Sequence, residues 1–224
     1  GANNTAIGSN ALQANAASNN TAVGYQAGYA NTTGGITSLG YQAGYANTTG
    51  TYNTAIGNHA LYSNTTAGRN TAIGQQAGEN NTTGHITAVG ALVLNVNSTG
   101  TGNTGVGGND EAISAALQSN TTGNYNIAVG TGALQANTTA SNNTAVGYQA
   151  GAGITTGTNN VMLGYSTGGS SSVDLITGSN NICIGGNRPT TSSSSAVHQI
   201  VLATAANIAG KGDSTGFISP NGDR

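Results

Sequence analysis

The side chains able to do acid–base, nucleophilic or metal chemistry are few and scattered. Glu79, Asp110, Glu111, Asp174, Asp213 and Asp223 are the carboxylates, and only Asp110 and Glu111 adjoin. Glycoside hydrolysis needs two carboxyl groups flanking one bond, about 5–9 Å apart, and adjacency on one segment does not provide that. His59, His85 and His198 occupy unrelated positions, and no His-x-His, HExxH or Cys–His cluster accompanies them. The sequence therefore predicts no protein metal site. Serines are plentiful but lack the strand–turn–helix setting of a nucleophile elbow. The many glycines form no phosphate-cradling loop. Cys183 is the single cysteine and stands where sister segments carry Ala, so it reads as a small buried residue. The expectation is a chain with no catalytic residues and no cofactor.

Composition narrows the class further. The chain has 224 residues, which predicts one domain at roughly 100–200 residues per domain. Charged residues make up 4% of it, against about 25% in an ordinary soluble domain. The net charge of −2 is too small for a charge-driven disordered tail. The four basic residues, Arg69, Arg188, Lys211 and Arg224, cannot make the basic face that nucleic-acid binding needs. No apolar run is long enough for a membrane-spanning helix. The opening Gly1-Ala2-Asn3-Asn4 reads as a processed end or a cut into a longer chain.

The elements that must position any functional residue are set by a repeat. A pentad, Asn-Thr-Ala-Ile-Gly or a variant, recurs and closes on Gly8, Gly24, Gly40, Gly57, Gly74, Gly90, Gly107, Gly130, Gly147, Gly164 and Gly185. Successive spacings are 16, 16, 17, 17, 16, 17, 23, 17, 17 and 21 residues. Residues 25–34 and 41–50 are identical, YQAGYANTTG. A unit this short suits one coil of a parallel β-solenoid, not a helical repeat. The pentad reads as a first strand and the following small-residue segment as a second, with Asn-Thr-Thr-Gly as a polar turn. Thr5 and Ile7 alternate with Ala6, so the β-branched face is expected to line the core and the Ala face to receive a neighbour. The closing Gly permits a bend or positive φ. Asn4, Asn20, Asn53, Asn70, Asn143 and their equivalents should stack as an amide ladder. Coils about 4.8 Å apart would make a rod of roughly 50 Å. So thin a solenoid predicts packing against further chains, through the Ala face and through Tyr25, Tyr41, Tyr148 and Tyr165, which share one repeat position.

The pentad with its small-residue segment resembles the head repeats of trimeric autotransporter adhesins, and the NTAVGYQAG form in residues 20–28 is similar to repeats in phage tail fibres, especially those of cyanobacterial phages. The likeness covers residues 3–187. It implies an all-β, left-handed parallel β-solenoid or β-roll of 16–17-residue coils, assembled as a homotrimer. The function implied is a structural fibre segment on a virion surface, extracellular, joined to other virion or fibre proteins and presenting loops to a host glycan or protein receptor. The alternative is the head of a trimeric bacterial adhesin. Neither implies nucleic-acid binding or membrane insertion. The ending at Asn221-Gly222-Asp223-Arg224 would fit cleavage from a chaperone domain such as follows some fibre stems.

The repeat domain is expected over 1–187, with a C-terminal strand and cap over 188–224. Two insertions lengthen it, near 109–124 and 168–178. The first predicts a short helix capped by Asn109, with Asp110 and Glu111 in its first turn. The second, containing Ser171 and Asp174, reads as a loop. Asp110, Glu111, Ser171 and Asp174 are the candidate receptor-binding residues, because recognition concentrates in loops on rigid scaffolds. Ice binding needs an exposed Thr array, and an inward pentad Thr argues against it. Asn31, Asn47, Asn64, Asn81, Asn120 and Asn137 are nominal glycosylation acceptors generated by the repeat itself.

Overall fold

The computed structural model describes residues 1–109, 114–169, 175–186, 189, 191–203 and 212–219. Each pentad forms one short strand. Among the described residues thirteen strands, from β1 (Thr5–Ile7) to β13 (Gly216–Ser219), pair in chain order into one parallel sheet. The coils of about 16–17 residues thus wind into a β-solenoid. The sheet runs past the last pentad through β12 (Ile200–Ala203), and β13 adds a strand the sequence did not announce.

The register is exact by repeat position. Thr5 pairs with Thr21, Ala6 with Ala22 and Ile7 with Val23, and the same columns continue to Val161, Met162 and Leu163 beside Ile182, Cys183 and Ile184. The faces are the reverse of the expected ones. Ala22, Ala55, Ala72, Ala88, Ala128 and Ala145 are fully buried. The flanking Thr and Ile, Val or Leu residues stand on the outer side. The bulk of the core comes from the opposite wall. Leu12, Leu61, Leu94, Leu117 and Leu134 are buried there, and an Ala column is what fits between that wall and the sheet.

That wall is not a second strand. It is a run of tight turns in which alternate residues are left-handed, such as Gln26 (φ 52°) and Gly28 (φ 59°). The alternation sends successive amides to opposite neighbours. Gln26 N donates to Ser9 O in the coil before and Gly28 N to Ala43 O in the coil after, both at 2.9 Å. The backbone groups the short strands leave free are satisfied in this way.

The wall position is either Leu or Gly, and the volume is balanced locally. A Cβ on Gly44 or Gly78 would strike the side chain of Ile36 or Ile86, and one on Gly168 that of Met162. Ile36 and Ile86 replace the Asn that opens other pentads, and both are buried.

Two amide ladders run along the coil stack, the first interrupted where Ile36 and Ile86 replace Asn. The expected one links pentad asparagines: Asn143 N donates to Asn126 Oδ1 (3.0 Å) and Asn160 N to Asn143 Oδ1 (2.9 Å). Asn181 and Gln199 continue it. The second lies at the Asn-Thr-Thr-Gly corner, where Asn47 Nδ2 donates to Asn31 Oδ1 and Asn64 Nδ2 to Asn47 Oδ1, each at 2.9 Å. It ends where Ile154 takes the place of Asn, and there Asn137 Oδ1 is left without a partner. Threonine hydroxyls form a third line, Thr32 Oγ1 donating to Thr48 O (2.8 Å) and Thr48 Oγ1 to Thr65 O (2.9 Å).

Ser38 interrupts the Ala column. Its hydroxyl is buried and unpaired, and it lies where the apolar core divides into Leu12–Ala22–Ala27–Ile36 and the remainder. A buried hydroxyl without a partner costs about 1–3 kcal/mol. Ser38→Ala should therefore raise stability by about 1 kcal/mol, read as a higher urea midpoint with an unchanged slope.

Candidate functional site

The described part of the first insertion is narrower than expected. Ala115, Ala116 and Leu117 are buried core residues in the turn wall, and Ala116 N donates to Gly107 O. They belong to the coil body, not to a projecting helix. Asp110 and Glu111 lie outside the described residues. In the second insertion Leu175 is buried and its N donates to Gly168 O at 2.8 Å, which closes the loop at its base. Ser171 and Asp174 also lie outside the described residues.

The nominal glycosylation acceptors are interior groups. Asn31, Asn47, Asn64, Asn81, Asn120 and Asn137 are fully buried, with their amide nitrogens spent in the corner ladder. A folded coil offers none of them to a glycosylating enzyme.

The aromatic side chains form the ladders expected at one position. Tyr25 stacks on Tyr41 (5.4 Å between centroids) and Tyr148 on Tyr165 (5.5 Å). A second ladder joins Tyr29, Tyr45 and Tyr62 at 5.0 Å per step. It occupies the next Tyr of the YQAGY segment, a regularity present in the sequence and passed over. Ring faces turned to each other are closed to a sugar, so these tyrosines favour the structural role. His59 ends both ladders, against Tyr41 and Tyr62. Its Nε2 meets Gln42 Oε1 at 2.8 Å and its Nδ1 meets Glu79 Oε1 at 3.3 Å.

Groups with chemical potential are held in packing roles. Gly164-Tyr165-Ser166-Thr167-Gly168 spells a nucleophile-elbow pattern, but Ser166 sits at the repeat position of Gln149 and its buried Oγ has no partner. Among the described residues no base stands within hydrogen-bond reach to activate it. Cys183 occupies the Ala column, and burial pushes its thiol up to about 12, which leaves it protonated and inert at neutral pH. Among the described residues no group of three His, Cys, Asp or Glu side chains could hold a metal ion. None of the helices searched there is long and apolar enough to cross a membrane.

A surface feature that runs the length of the sheet is its outer face. One rank runs Thr21, Thr37, Thr54, Thr71, Thr87 and Thr104, turns aliphatic at Ile127, returns to Thr144, and is aliphatic again at Val161, Ile182 and Ile200. The other is aliphatic throughout, from Ile7 to Leu202. Ile73 is 39% and Ile127 42% exposed in the single chain. Lone exposed aliphatics are ordinary, whereas a continuous apolar face marks an interaction surface. No family model, curated protein or solved structure matches the chain.

Proposed function

We propose that the chain is a rigid segment of a homotrimeric fibre, a left-handed β-roll whose three sheets face a shared axis. In this reading it is a virion tail fibre or appendage that holds host-binding loops away from the particle. The observation that carries the proposal is the unbroken aliphatic rank from Ile7 to Leu202. Three copies closing around an axis would remove that rank from water, at about 25 cal/mol per Å² of apolar surface. The corner ladders and turn wall, already satisfied within one chain, would remain outside. Three identical weak sites on one rod would then bind a surface with avidity. The pentad's likeness to adhesin heads supports the same assembly on a bacterial surface.

The test is the native mass by light scattering, repeated after heating in detergent. A mass of three chains that resists dissociation is expected. Ile73→Asp, a change at an outward position, should reduce it to one chain while the circular dichroism is kept. A stable wild-type monomer overturns the trimer.

One observation favours a second reading should that happen. The pentad threonines stand outward in a regular array, removing the objection to ice binding that an inward Thr had raised. A monomer showing thermal hysteresis would establish it.

A further inference from the structure

We propose that a notch at the corner beside Gly35 is a binding subsite for a neutral hexose-type saccharide. The residue preceding each pentad forms an exposed row along one corner. Five coils place Asn there in the left-handed region, Asn3, Asn19, Asn142, Asn159 and Asn180, at φ between 58° and 61°. Asn tolerates that conformation. The third coil combines two features that occur apart elsewhere, a short corner as at Asn15 to Asn20 and Asn81 to Ile86, and a row glycine as at Gly102. Its corner, Asn31 to Ile36, is one residue shorter than the next, Asn47 to Asn53. The row position is Gly35, and an added Cβ would meet nothing within 4 Å. The missing bulk opens a cleft of about 500 Å³ lined by Asn19, Gly35, Thr37, Thr51, Tyr52 and Thr54 among others. That lies within the range of about 300–1,000 Å³ for small-molecule sites.

Tyr52 is the aromatic residue at the cleft. It is left-handed at φ 61°, the conformation that Arg69 and Tyr125 also hold in this row. It is 75% exposed, so its ring contributes little burial to the fold and is open to a ligand. The comparison within the chain is Tyr125, at the same row position beside Gly102. There a Cβ on the glycine would strike the tyrosine ring, so Tyr125 closes over its neighbour. Tyr52 leaves Gly35 open.

The chemistry of the lining selects the ligand. An exposed aromatic ring offers a face for the C–H side of a sugar. Around it stand the hydroxyls of Thr37, Thr51 and Thr54, which bond to no protein side chain among the described residues. Asn19 accepts from Asn3 Nδ2 through its Oδ1, leaving its amide nitrogen to donate elsewhere. No charged side chain lines the cleft, and Arg69 stands one rung beyond Tyr52. Alternating apolar and hydroxylated surface without charge fits a neutral sugar better than an anionic one.

The subsite is built within one chain, but Thr37 and Thr54 belong to the outer Thr rank of the sheet, beside the aliphatic rank that the proposed trimer buries, so binding is measured on the Ile73→Asp monomer as well as on the wild type; the source of the sugar, a host surface, rests on the fibre reading. The experiment is saturation-transfer NMR on the full chain with maltose, cellobiose and lactose as separate probes. At least one should receive saturation with a Kd near about 1 mM. Tyr52→Ala and Gly35→Asn, the second filling the notch with a residue its neighbours use, should each weaken it at least about tenfold. Tyr125→Ala should leave it unchanged, and thermal melting checks that each variant is folded. Saturation of none of the three sugars, or transfer that survives both notch substitutions, overturns the subsite. A failure of trimerisation is read separately, from the native mass.

Discussion

Gly40→Ala should abolish the cooperative fold, with a loss of at least about 4 kcal/mol. Gly40 lies at φ 135°, outside any region open to a residue with a side chain. An ideal Cβ there falls 2.6 Å from the carbonyl oxygen of Gly57 and 2.7 Å from its carbon. Those atoms are backbone of the next coil, tied in by Gly57 N donating to Leu39 O at 2.8 Å. Relief would require separating two coils. The chain itself marks the distinction. At φ near 50–60° it accepts Leu61, Gln42 and Tyr52, while the strongly positive angles from 122° to 142° occur only at glycines. Gly35→Ala is the matched control, because its Cβ would meet nothing within 4 Å. Urea unfolding followed by circular dichroism should separate the two variants completely. A Gly40→Ala chain within about 1 kcal/mol of wild type would refute the steric account.

The second large effect is expected at Asn64. Its Nδ2 donates to Asn47 Oδ1 (2.9 Å) and Ala67 O (3.0 Å), and its Oδ1 accepts from Asn70 and Asn81 (3.3 Å each). Asn64→Ala strands donors on Asn70 and Asn81 inside the corner, and each stranded group costs about 1–3 kcal/mol. A loss of about 2–4 kcal/mol follows. Asn64→Asp replaces one NH2 by oxygen and changes almost no volume, yet it sets an acceptor against two acceptors. Burial raises the pKa of such a carboxyl in the folded state. The folded form then binds the proton more tightly than the unfolded one, so the penalty is smallest below about pH 4 and grows as pH rises. An Asn64→Asp chain no less stable at pH 7 than at pH 4 would contradict the ladder geometry.

The repeat, the one-strand pentad and the pentad-asparagine ladder were all legible in the sequence, because each depends on local spacing. The choice of faces was not. Thr5 and Ile7 look like core and Ala6 like surface on hydrophobicity alone. In a coil of 16–17 residues the interior is too narrow for two bulky walls, and the turn segment supplies the bulk. A usable sign was present. Ile, Val and Leu interchange freely at residues 7, 23 and 39, while the middle position keeps Ala, Ser or Gly over most of the chain. The second ladder was hidden because Asn-Thr-Thr-Gly is also the composition of an ordinary turn. The notch was beyond local reasoning, since it arises only where a short corner coincides with a glycine in the row, at Gly35.

The volume balance between Leu and Gly also bears on how such a rod can grow. Residues 25–34 and 41–50 are identical, the signature of a copied unit, and the copy set Gly28 beside Gly44 on the wall. Two small residues in succession leave a hole, which Ile36 fills from the strand side. The same substitution recurs at Ile86, next to Gly78. Gene duplication can therefore lengthen the solenoid when a compensating change arrives in the copied coil, as at Ile36 against Gly44, or in the next one, as at Ile86 against Gly78. Each coil is fitted to its own two neighbours, and a shuffled order of the same units would not make the same molecule.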